Sequence, residues 1–142
     1  MTKPDLNEFI AAAQDFRAFC EAEGKATRAD LWTVRAILLR LIYHAPAAEQ
    51  SSQSCDHEVS RCSDESWKLV FHRCAGFPFD YYNLHLKPFE IPSDEVGIGS
   101  LCDDLADIYR DLCEGLDLYA QGYLEDACFY WALNYRSHWS IH

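Results

Sequence analysis

Apolar residues recur at helical spacing along most of this chain. Leu6, Phe9, Ile10, Ala13, Phe16 and the pair Phe19/Cys20 mark one face of a first helix. Asp5 with Glu8 gives it a capping-box start, and Gly24 is a natural stop. A second helix, capped by Thr27 or Asp30, runs to His44 and ends before Pro46. Leu31, Val34, Leu38, Leu41 and Ile42 form its expected buried face, while Arg28, Arg35 and Arg40 make it locally basic. A third runs from Asp64 to Ala75, burying Trp67, Val70, Phe71 and Cys74, and Gly76 closes it. Ser100 and Asp103, spaced S-x-x-D, open a fourth helix that reaches Gln121. Its stripe is Leu101, Leu105, Ile108, Leu112, Leu116 and Tyr119. After a turn at Gly122 a fifth helix, from Leu124 to about residue 140, aligns Cys128, Trp131, Tyr135, His138 and His142. Leu105, Ile108, Leu112, Trp131 and Tyr135 are the expected centre of the core.

Two stretches break the period. Residues 45 to 63, APAAEQSSQSCDHEVSRCS, are rich in Ser, Gln and Ala and read as a mobile loop. In residues 77 to 99, Pro78, Pro88 and Pro92 forbid a continuous helix. Phe79, Tyr81, Tyr82, Leu84, Leu86 and Phe89 are nevertheless too apolar for a free loop, so this connector is expected to pack down irregularly and seal the core. The predicted fold is one all-α domain over residues 1 to 142. It is a bundle of about five helices with an irregular aromatic-rich connector and a C-terminal antiparallel helical hairpin.

Composition narrows the function classes. Hydrophobic residues make up 49% of the chain and aromatics 14%, enough apolar surface for a globular core. With 23 acidic against 12 basic residues the net charge is −11, a field that repels phosphate backbones and draws basic proteins. Nucleic acid is therefore not an expected partner. Nor is a membrane: the most apolar run, Ala36 to Tyr43, is short and interrupted by Arg40, and the opening MTKPDLNEF lacks the apolar core of a signal peptide. The seven cysteines are odd in number and scattered, with no C-x-x-C pair, which predicts reduced thiols in a cytoplasm. Cys55, His57 and Cys62 lie within one polar loop but lack a fourth zinc ligand at finger spacing.

The candidate chemistry lies at one end of the C-terminal hairpin. Asp104, Asp107 and Asp111 cluster on one side of the fourth helix, beside its apolar stripe. Carboxylates at the edge of a core lose hydration and require partners. His138 and His142, at i and i+4, present two imidazoles in one direction, and antiparallel packing should bring them to Asp104 or Asp107. Such a set of N and O ligands suits a divalent transition metal such as zinc. The plainer reading needs no metal: Arg28 and Arg35 neutralise the aspartates, which also complement the helix dipole. No Walker loop, G-x-S-x-G, G-x-G-x-x-G or H-E-x-x-H motif is present.

The run Ser100-Leu101-Cys102-Asp103-Asp104-Leu105-Ala106-Asp107-Ile108-Tyr109-Arg110-Asp111-Leu112, followed by His138-Trp139 and His142, resembles a bacterial family of helical domains of unknown function. That family carries D-D-L-A-D-I-Y-R-D-L on one helix and H-W-x-x-H on the next. The likeness covers mainly residues 100 to 142, with echoes near Tyr82 and Pro88. It implies a helical domain and brings no activity with it. Asp111, Tyr82, Tyr109 and Trp139 are added by these motifs as candidates for a pocket or interaction surface.

The functional expectation is a non-enzymatic cytoplasmic module without a cofactor. It would bind another protein, in the manner of a regulator or a neutraliser of a basic toxin. A metal-binding protein or metal-dependent enzyme using Asp104, Asp107, His138 and His142 is the alternative, and a small-ligand pocket under the aromatic connector ranks behind both.

Overall fold

The computed structural model describes residues 2–51 and 55–139. Helix α1, Leu6–Glu21, begins where Asp5 Oδ1 accepts from the Glu8 amide at 3.1 Å. It buries Phe9, Ile10, Ala12, Ala13 and Phe16. Asp30 accepts from both the amide and the hydroxyl of Thr27, at 2.6 and 2.9 Å, and opens α2, Asp30–Ser51. This helix does not stop at Pro46. Proline forfeits one backbone bond there, but Ala45, Ala47 and Ala48 are buried, α2 packs on α5, and Arg136 Nε reaches Glu49 Oε1 at 2.7 Å. Tertiary packing outweighs the local penalty, so residues 45 to 51 of the expected mobile loop are helical.

Helix α3 spans Asp64–Cys74 and is capped by Ser63, whose hydroxyl accepts from the Ser66 amide. Then comes the main departure from an all-α fold. Tyr81–His85 (β1) and Val96–Ser100 (β2) pair antiparallel, with Tyr81 opposite Ser100 and His85 opposite Val96. The prolines obscured these strands although none lies within either: Pro78 precedes β1, and Pro88 and Pro92 fall in the loop between the two. The connector also fails to seal the core: Phe77 is buried, whereas Phe79, Tyr81, Leu84, Leu86 and Phe89 are exposed.

Helix α4, Leu101–Ala120, follows β2 without a linker. Ser100 caps it, as its spacing predicts, by accepting from the Asp103 amide. A second anchor is Asp80, whose carboxylate accepts from Ser100 Oγ at 2.9 Å and from the Cys102 amide at 2.8 Å. Gly122, at φ 89°, ends the helix in a Schellman arrangement: the Tyr123 amide bonds to Leu118 O and the Gly122 amide to Tyr119 O. The chain then returns as α5, Leu124–Ser137.

Packing joins α1 to α2 and α4, α3 to α4, and α5 to α2 and α4. Leu105, Ile108, Leu112 and Trp131 are buried as the apolar stripe predicts; Tyr135 is only half-buried. Helix α2 is rotated from its expected orientation. It buries Val34, Ile37 and Leu41, while Ile42 is exposed and Leu31 and Leu38 are half-covered. None of the described helices is long and apolar enough to cross a membrane.

Candidate functional site

Asp104, Asp107 and Asp111 lie in a row along α4 and meet side chains from β1, α3, α4 itself and the end of α5. Asp104 and Asp111 are nearly buried. Asp104 accepts a hydrogen bond from the Tyr82 hydroxyl on β1. Asp107 Oδ1 accepts from Trp67 Nε1 on α3 at 2.8 Å and from Arg110 Nη2, one turn along its own helix, at 2.7 Å. His138 Nδ1 lies 2.5 Å from Asp111 Oδ2, and its Nε2 lies 3.6 Å from Asp107 Oδ2. One imidazole thus bridges two carboxylates a helical turn apart.

The hairpin brings acid to histidine: His138 reaches Asp107, one of the two expected aspartates, but lies closer to Asp111. Asp104 belongs instead to Tyr82. The reason is length. The 14 residues of α5 rise only about 21 Å against about 30 Å for the 20 of α4. His138 then leaves helical geometry, at φ −139° and ψ −82°. The cation expected from α2 is also elsewhere: Arg110 serves Asp107, while Arg35 lies over the Trp32 ring at 5.6 Å. His142 lies outside the described residues. Among those described, no three His, Cys, Asp or Glu side chains are arranged to hold one ion.

Burial sets the electrostatics. It raises the Asp111 carboxyl above its usual range, against the opposing pull of His138. Glu114, one turn further on, is raised by burial and then by the charge of Asp111. The Tyr82 phenol is pushed up to about 12, first by its bond to Asp104 and then by burial. Each of these groups holds its proton more tightly than it would in water.

The other candidates are dispersed. Tyr109 is buried, and its hydroxyl donates to Glu21 Oε1 at 2.8 Å. It borders a cleft of about 570 Å³ between α1 and α3 that also meets Cys20, Lys25 and Arg73, away from the aspartate row. Trp139 is buried against Tyr135, ring centroids 4.9 Å apart. Periodicity missed two further pairs. His57 binds Asp126, buried in the first turn of α5, and stacks on Tyr123 at 3.7 Å. Cys55 Sγ, for its part, turns to the His57 carbonyl at 3.0 Å. The acid at the start of α5 was visible in the sequence, but its partner 69 residues away was not. Asp80 likewise acts on α4 from outside that helix.

The family model described as Domain of unknown function (DUF5063) matches residues 2–142. The chain belongs to this family. Its fold is similar to that of protein BF1032 from Bacteroides fragilis, known from a crystal structure: TM-score 0.74, 21% identity, covering 96% of this chain and 83% of that one. At that identity the likeness is one of fold. Among curated proteins no relative matches.

The surface of this family member is less ordinary than its acidic row. On α2 and the residue leading into β1, Trp32, Leu39, Ile42 and Phe79 stand exposed around a groove of about 450 Å³. The charged residues lining that groove are Arg28 and Arg35. On the β-hairpin Ile98 is 77% exposed, and in the loop between its strands Phe89 is 97% and Ile91 95% exposed. Sequence periodicity missed this face because it assigned Ile42 to the core.

Proposed function

We propose that this chain is a non-enzymatic protein-interaction module with a regulatory role, and that its working surface is the apolar face formed by α2 and the β-hairpin. The observation that carries the reading is the set of large apolar side chains left exposed around the α2 groove. Single exposed apolar residues are commonplace, but Trp32, Leu39, Ile42 and Phe79 gathered around one groove are the kind of surface that another protein covers. Aromatic anchors of this type dominate interface energetics.

The acidic row supports the same reading by what occupies it. Trp67, Arg110 and His138 on Asp107 and Asp111, and Tyr82 on Asp104, serve as a clasp between α4 and its neighbours. The net charge of −11 adds long-range attraction for a basic partner, as a toxin neutraliser would use. Seven unpaired thiols, five of them buried, favour a reducing, cytoplasmic setting.

The test is affinity capture from host extract with three tagged forms: the parent chain, a Trp32→Glu/Ile98→Glu variant, and Asp111→Asn. The reading expects the parent and Asp111→Asn to retain a stoichiometric protein, either a different chain or an untagged copy of this one. The surface variant should lose it. Equal recovery by all three, or by none, would overturn the reading.

A further inference from the structure

We infer that the occupant of the α2 groove is the hairpin loop of a second copy of this chain, exchanged reciprocally in a two-fold dimer. The inference rests on the interaction-module reading and names its partner. The loop that joins β1 to β2 is Leu86-Lys87-Pro88-Phe89-Glu90-Ile91-Pro92-Ser93-Asp94-Glu95. Phe89 and Ile91 stand almost fully in solvent on either side of Glu90. A two-stranded hairpin exposing its apolar residues in this way is marginal in water and gains by being covered.

Charge selects the groove as the cover. The loop carries Lys87 against Glu90, Asp94 and Glu95, one cation and three anions, so a net of −2. Lys87 pairs with Glu95 at 2.9 Å and sits 3.6 Å from Glu90, all three at the surface, where such pairs rearrange at little cost. The groove offers the complement: apolar walls from Trp32, Leu39, Ile42 and Phe79, and two guanidinium groups, Arg28 and Arg35, with no carboxylate among the described residues that line it. Phe89 and Ile91 would fill the apolar cleft while Glu90 meets an arginine. In a chain whose net charge opposes self-association, this is a patch of the opposite sign that makes it possible.

Symmetry adds a second argument. Groove and hairpin are joined through Phe79, which lines the first and stands two residues before the start of β1. Two copies facing across a two-fold axis can each insert a loop into the other's groove. Two identical insertions double the buried area, moving it towards the roughly 1,200–2,000 Å² of a stable interface, and close the assembly so that it does not propagate.

Sedimentation analysis of the full chain over a wide concentration range is the test. The parent should dimerise reversibly. Phe89→Asp/Ile91→Asp changes only exposed side chains, so it should stay folded by circular dichroism and weaken the dimer by roughly thirtyfold or more, the loss that follows removal of a hot-spot anchor. Arg28→Glu/Arg35→Glu and Glu90→Arg/Glu95→Arg should each weaken self-association, and an equimolar mixture of the two should form a heterodimer, because both exchanged contacts are then complementary. A parent chain that is monomeric at every concentration, or a dimer indifferent to these substitutions, would overturn the exchange. Capture of a different protein through Trp32 and Ile98 would in that case still support the interaction-module reading.

Discussion

The indole Nε1 of Trp131 occupies the place where a β-carbon on Gly115 would stand. From there it donates to the Leu112 carbonyl at 3.1 Å, while the ring packs edge-on to Phe9 with centroids 5.3 Å apart. Helices α1, α4 and α5 therefore meet at one tryptophan, and the approach of α5 to α4 depends on a residue without a side chain.

In an exposed helix, glycine to alanine would gain up to about 1 kcal/mol. Here the added methyl meets a ring that is 1% exposed and cannot retreat. Gly115→Ala should destabilise the chain by about 1–3 kcal/mol through overpacking. Denaturant unfolding checks this, and Gly115→Ala/Trp131→Phe should recover part of the loss that the two single changes predict in sum. A Gly115→Ala chain as stable as the parent would show that the helices do not approach this closely.

The pair Asp111–His138 gives a prediction about acid. Because burial raises the Asp111 carboxyl, the folded state holds that proton more tightly than the unfolded chain does. Stability must then fall as pH rises from the ordinary carboxylate range through the raised value. Asp111→Asn removes the ionisation and keeps a hydrogen-bonding group beside His138. It should melt at or above the parent at neutral pH, with the difference shrinking as the pH is lowered through that window. Thermal melts across pH decide it; a variant whose deficit grows from acid to neutral pH would contradict the assignment.

Asp80 should behave in the opposite sense. Burial would raise its carboxyl, but the Cys102 amide and the Ser100 hydroxyl outweigh it, and the value lies below the usual range. Its contribution is present above the ordinary value and is lost as pH falls through the depressed one. Asp80→Ala should cost about 0.5–2 kcal/mol at neutral pH, comparable to loss of a helix cap, and the gap to the parent should close in acid. Equal melts at neutral pH would remove Asp80 from the anchoring of α4.

What could be read from the sequence followed from local physics. The caps at Asp5 and Ser100, the glycine turn at Gly122 and the stripe through Leu105, Ile108 and Leu112 depend on neighbours within one or two turns, and the structure keeps them. What depends on distant partners was hidden. Pro46 stays helical because α5 packs over that turn. The strands around Pro88 and Pro92 could be recognised only as a pair. His138 reaches Asp107 as expected, but its closer partner is Asp111, while Asp104 bonds to Tyr82 on β1. Helix α2 has apolar residues on more than one side, and periodicity alone could not tell which of Ile37 and Ile42 would face inward.

Two of the four tryptophans report on the two surfaces that compete for the functional role. Trp67 donates to Asp107 in the acidic row, and Trp32, 70% exposed, stands at the α2 groove; Trp131 and Trp139 are buried controls. Fluorine NMR of the fluorotryptophan-labelled chain in host extract, read as the shift on replacing H2O by D2O, measures which indoles are covered there. If the apolar face is the working surface, Trp32 loses most of the isotope shift of an exposed ring while Trp67 keeps the value it has in the purified Trp32→Glu/Ile98→Glu chain. A Trp32 as solvent-accessible in extract as an exposed indole, with Trp67 altered instead, would contradict the account and move the function to the acidic row.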